Sequence, residues 1–157
     1  MTSRTNTLLK TLQELQATGS FPQRLLVRDT AIAATLEMDA HQLDRMSVEV
    51  SMLRVTPEQA KKLPLREQAV QLSQRITGLM EKLSAIEIDD ERGEALLRSE
   101  SPVAEHSTRI YYELLLSRGG AAELHRYQGS MVHSERKAIP FTLTHEALAK
   151  LVGDIAG

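Results

Sequence analysis

The spacing of apolar residues changes near Ser84, and this change constrains the fold more than any other feature of the sequence. Before Ser84, apolar residues recur every three or four positions, which is typical of helices packed on a core. After it, apolar residues alternate with polar ones, as in half-buried strands. A run of helices followed by a run of strands predicts an α+β fold. We therefore expect a single domain over residues 1–157, helical at 1–83, with a β-meander and a C-terminal helix at 84–157.

The helical part is expected to contain several short helices. The first should end at Gly19, because glycine is favoured just beyond a helix C-terminus. The clearest helix lies within residues 65–83, where apolar residues form one stripe. Residues 47–55 fit either a helix or a strand, because their apolar residues satisfy both spacings. We favour the helix for this segment.

The second part is expected to form a four-stranded antiparallel sheet from two hairpins. The first hairpin spans residues 84–101, and the second spans 107–128 with its turn at 118–120. The turn allows two registers. With a three-residue loop Glu113 faces His125, whereas with a two-residue loop it faces Arg126.

A helix near the C-terminus completes the expected fold. Thr144 is a favoured capping residue, and an apolar stripe follows it. We expect this helix to pack on the sheet, because its apolar stripe needs a buried partner.

Residues 31–46 resemble a helix-turn-helix motif in the placement of their small and apolar residues. His41, Gln42 and Arg45 would then be the side chains that contact DNA. However, residues 1–60 hold six Lys/Arg against seven Asp/Glu, and affinity for DNA comes mainly from neutralised phosphates. We therefore favour two short packed helices and keep a DNA-binding regulator as an alternative.

Candidate catalytic chemistry is concentrated on the second hairpin. Either register places charged groups beside tyrosines, so Glu113, His125 and Tyr127 could form an acid–base site. An enzyme with this site is a second alternative. Ordinary pairing on a solvated sheet face explains the same pattern, and we favour that explanation.

The sequence predicts no metal site and no cofactor. It has no cysteine, so thiolate ligands are excluded. The segment that begins at His145 starts like the zinc motif HExxH, but Ala149 stands where the second histidine is needed. Glycine-rich phosphate loops and nucleophile elbows are also missing from the sequence.

Charge and strand composition indicate the class of protein. The formal net charge of −2 disfavours nucleic acid and anionic membranes as partners. No stretch approaches the ~20 apolar residues of a membrane-spanning helix, and the absence of cysteine fits a cytoplasmic protein. The strand at 110–116, IYYELLL, is apolar on both faces, so a second copy could cover its free side. We therefore predict a small, soluble, non-enzymatic interaction or accessory module that forms a homodimer or binds another protein.

Overall fold

The computed structural model describes residues 3–105, 107–130 and 135–157, and in these ranges the chain forms three helices and ten strands. The helices are α1 (Ser3–Thr18), α2 (Leu65–Arg75) and α3 (His145–Ala156). The strands are β1 (Gln23–Asp29), β2 (Ala34–Leu43), β3 (Ser47–Pro57), β4 (Leu83–Asp89), β5 (Glu94–Ser99), β6 (Val103–Glu105), β7 (Thr108–Ser117), β8 (Ala122–Ser130), β9 (Arg136–Ile139) and β10 (Phe141–Thr144).

All ten strands belong to one antiparallel sheet. Seven of them follow the order β1-β2-β3-β8-β7-β5-β4, and the short strands β6, β9 and β10 pair with β7, β8 and β3. Strands β3 and β8 pair directly only at one end, where Leu53 faces Leu124. Beyond that point β9 pairs with β8 and β10 pairs with β3, so the chain on either side of Pro140 fills the gap between them.

The three helices pack on one face of this sheet. Helix α3 contacts β3 and β10 and packs between α1, which contacts β1, and α2, which contacts β4 and β5. The hydrophobic core lies between the helices and this face. Its fully buried side chains include Leu12, Met38, Leu53, Leu97, Leu114 and Leu148. We call the opposite face of the sheet the outer face.

The prediction of a helical part at 1–83 and a four-stranded meander is wrong. Strands β1, β2 and β3 lie in that part of the chain and complete a ten-stranded sheet. Along β2, every second residue from Ala34 to Ala40 is buried. A strand places such residues on one face, whereas a helix would turn Leu36 and Met38 to opposite sides. Burial against the helices therefore outweighs the helix propensity of this sequence.

Residues 47–55 form most of β3, so the helix that we favoured for this segment is also wrong. Val48 and Val50 face the core at alternate positions, as do Leu53 and Val55 after a bulge in the strand. Helix α2 is shorter than expected, because the chain is already extended at Ile76 (φ −72°, ψ 109°) and Leu83 begins β4.

Two local signals were interpreted correctly. Helix α1 ends at Thr18, one residue before Gly19. The hydroxyl of Thr144 accepts a hydrogen bond from the Ala147 N–H at 3.0 Å and so caps α3. No helix in the described part of the chain is both long and apolar enough to cross a membrane.

Candidate functional site

Strands β7 and β8 bring the three candidate catalytic residues together on the outer face. The register is the one with a three-residue loop, in which Glu113 faces His125 and Tyr111 faces Tyr127. The ring of His125 stacks on that of Tyr127 with 5.9 Å between centroids, and the centroids of the two tyrosine rings are 6.1 Å apart. We call these four residues the β7–β8 cluster.

The carboxylate of Glu113 is covered by two arginines. The residue is only 5% exposed, although it lies on the outer face. Arg98 donates to Glu113 Oε1 from Nη2 at 2.5 Å and from Nε at 2.8 Å. Arg136 donates to the same oxygen from Nη1 at 2.6 Å, and this hydrogen bond raises the pKa of Arg136 above its usual range. A general base must offer a lone pair to its substrate, and this oxygen already accepts three hydrogen bonds.

The two arginines also contact the tyrosines of the cluster. The Arg136 guanidinium lies 3.9 Å from the centroid of the Tyr127 ring, and that of Arg98 lies 5.3 Å from the Tyr111 centroid. Burial raises the pKa of the Tyr127 hydroxyl. Cation–π contacts of this kind hold an arginine side chain in one orientation. The arrangement therefore favours a rigid ion-paired network over a site that exchanges protons with a substrate.

The histidine of the cluster pairs with a carboxylate that the sequence analysis did not single out. His125 Nε2 lies 2.9 Å from Glu123 Oε2, whereas Glu113 is occupied by the arginines. Residues two apart on a strand share one face, so the spacing of Glu123 and His125 was a usable signal. This pair is the remaining group on the hairpin with acid–base character.

A small depression lies beside the cluster, lined in part by Arg98, Arg109, Tyr111 and Arg136. Its volume is about 200 Å³, which is below the ~300–1,000 Å³ typical of small-molecule sites. In residues 3–105, 107–130 and 135–157, no three His, Asp or Glu side chains are grouped to hold a metal ion.

The residues proposed to contact DNA lie on a strand and its turn. Residues 31–46 contain β2 and parts of the two flanking turns. The two short packed helices that we favoured and the helix-turn-helix alternative are therefore both wrong. His41, Gln42 and Arg45 are exposed, but no helix presents them. Strand β2 is held in place by ladders with β1 and β3 on its two sides.

One row of residues crosses the whole outer face. The strand registers place its members side by side from β1 to β4: Leu26, Glu37, Arg54, Glu123, Leu115, Leu96 and Glu87. Charged residues occupy the middle of the row, and leucines lie towards both ends. Leu26 is 70% exposed and Leu115 is 37% exposed. On the outer face of β7, Glu113 is covered by Arg98 and Arg136, whereas Leu115 is exposed. Leu115 is therefore the main apolar side chain that β7 exposes on this face.

Comparison of the chain with family models, with curated proteins and with solved structures found no match. The fold and the cluster themselves define the class. The chain is a two-layer protein with three helices on one face of an antiparallel sheet and an ion-paired, partly apolar outer face.

Proposed function

We propose that the chain is a small, soluble, cytoplasmic and non-enzymatic interaction module that binds protein through its outer face, with a second copy as one partner. The observation that carries this proposal is the outer face itself. It has large apolar side chains exposed at Leu26 and Leu115, with the charged residues Glu37, Arg54 and Glu123 between them. Exposed apolar side chains with polar neighbours, such as Leu26 and Leu115, the latter adjacent to Leu96, are typical of interaction surfaces.

The size of the outer face also supports the proposal. Seven strands spaced ~4.8 Å apart, each ~20 Å long, give an area of about 600 Å². This is of the same order as the ~800 Å² that each partner contributes to a stable interface. The ion pairs of Glu113 favour binding over catalysis, because the two arginines occupy one oxygen of the strongest candidate base.

Sizing by light scattering over a range of concentrations tests self-association. We expect a mass above that of one chain at high concentration and a shift towards the monomer in Leu26→Asp, because a charge at this position opposes apolar contact. Met80→Asp is the matched control, since Met80 is 102% exposed but lies in the α2–β4 connection. A monomer at every concentration, or equal effects of the two substitutions, would contradict self-association through this face.

A further inference from the structure

The β4–β5 hairpin holds an excess of negative charge. Residues 87–94 contain five Asp/Glu and one Arg, a net charge of −4, whereas the whole chain carries −2. Asp89 lies 3.9 Å from Arg92, the basic residue of this segment. Among the described residues, Glu87 and Glu94 form no ion pair. Arg118 of the β7–β8 turn also reaches this hairpin, where it donates to the Asp90 carbonyl. The five carboxylates still outnumber these two cations.

An apolar groove lies beside these carboxylates on the outer face. Leu96 of β5 and Leu115 of β7 face each other across the two strands. They line a groove of about 150 Å³ together with three carboxylates, of Glu87, Asp89 and Glu94, and one cation, Arg92. Glu87 follows Leu96 in the row, and Glu123 precedes Leu115. The two leucines thus form an apolar floor with carboxylates on several sides.

We propose that this groove binds an extended segment of a partner protein in which an apolar side chain is flanked by lysine or arginine. The proposal rests on the function as an interaction module and names the chemistry of the partner. The leucines contact the apolar side chain, and Glu87 and Glu94 bind the flanking cations. Complementary charge of this kind raises the association rate and selects the partner.

Charge also decides between classes of partner. The carboxylates repel phosphates, which disfavours nucleic acid and anionic membranes. The exposed end of this chain's own outer face is a poor match, because its cations are already paired. Arg24 donates to Asp39 at 2.7 Å, and Arg28 donates to Glu58 at 2.9 Å, on either side of Leu26. A separate protein with free cations therefore fits the groove better than the Leu26 end of a second copy does.

A fluorescein-labelled peptide of alternating lysine and leucine is the probe, and fluorescence anisotropy is the measurement. We expect Leu115→Ser and Glu94→Lys each to weaken binding about tenfold, since each removes one main contact. The matched controls are Leu63→Ser, at an exposed leucine of the β3–α2 connection, and Glu49→Lys, elsewhere on the outer face. Added salt should weaken binding, because the pairs with lysine are solvent-exposed.

Several results would overturn the proposal. These are no binding of the peptide, equal binding of a peptide with serine in place of leucine, and equal losses in the control variants. Conversion of a dimer to a monomer by Leu115→Ser would show that a second copy occupies the groove. If the peptide fails to bind while Leu26→Asp still disrupts self-association, the groove proposal is wrong and the interaction module stands.

Discussion

Substituting Glu113 by glutamine tests whether the ion-paired network is structural. The Glu113 side chain is 6% exposed, whereas the side chains of Arg98 and Arg136 are 38% and 41% exposed. Removing one partner of a fully buried ion pair costs about 3–5 kcal/mol, and an exposed pair contributes about 0–1 kcal/mol. The network lies between these limits, because the carboxylate is buried and water screens the arginines. We expect Glu113→Gln to lower the free energy of unfolding by about 2 kcal/mol.

Urea denaturation at neutral pH measures this loss, and Glu49→Gln is the matched control. Glu49 is a half-exposed carboxylate on the same face, and among the described residues it has no ion pair. Its substitution should change the free energy of unfolding by less than about 0.5 kcal/mol. The m-value should stay constant in both variants if the native and unfolded states keep their exposed areas.

A double-mutant cycle identifies the source of the loss. Arg98 and Arg136 donate to the same Oε1 atom. Arg136→Met should therefore lower the free energy of unfolding less in the Glu113→Gln background than in the wild type, by a difference of at least about 1 kcal/mol. If Glu113→Gln costs no more than Glu49→Gln, or if the cost of Arg136→Met is the same in both backgrounds, the carboxylate does not stabilise the arginines and the structural interpretation fails.

Four further outcomes follow from single positions. Ala33 has a positive φ of 53°, so Ala33→Gly should raise the free energy of unfolding by about 0.5–1 kcal/mol in urea titrations. The hydrogen bond from Arg24 lowers the pKa of Asp39, so the ionised carboxylate stabilises the folded state. This stabilisation is complete above the ordinary pKa of about 3.9 and is lost as the pH falls through the lower pKa of the folded state. Arg24→Met should therefore weaken the acid dependence of the thermal midpoint. Burial raises the pKa of Tyr127, so stability should fall as the pH rises above about 10, and Tyr127→Phe should remove that part of the loss. Leu114 is fully buried, and Leu114→Ala should cost about 3–5 kcal/mol.

The elements that could be predicted are those with local signals. The hairpin of β7 and β8 has Gly119 and Gly120 at its turn, and the Ser117 N–H donates to the Ala121 carbonyl at 2.8 Å. Helix α3 has its threonine cap directly before an apolar stripe. In both cases neighbouring residues determine the conformation, so spacing and turn chemistry suffice.

Strands β1, β2 and β3 were missed in the sequence analysis. Many of their residue types have a high intrinsic helix propensity, and only their contacts in the folded sheet favour the strand conformation. The segment from Ala34 to Ala40 consists mainly of Ala, Leu, Glu and Met, which are strong helix formers. Its strict alternation of apolar and polar residues was nevertheless visible in the sequence. Strand β2 is central, with β1 and β3 on its two sides, so tertiary contacts outweigh propensity there.

The candidate site was predictable only within one hairpin. The face shared by Glu113, His125 and Tyr127 follows from one of the two registers that the turn allows. Arg98 and Arg136 come from β5 and β9, whose places beside β7 and β8 depend on the order of the whole sheet. Hydrophobic periodicity carries no information on that order, so the arginines that change the interpretation of Glu113 could not be foreseen.

The distribution of charge on the outer face separates its two apolar regions. Leu26 lies on the first strand of the sheet order and Leu115 on the fifth, so ~19 Å separates them at ~4.8 Å per strand. Charged residues lie between them, and charges on an uncovered sheet oppose nonspecific association with other sheets. Self-association at the Leu26 end and binding of a basic segment at the Leu115 end therefore use different contacts.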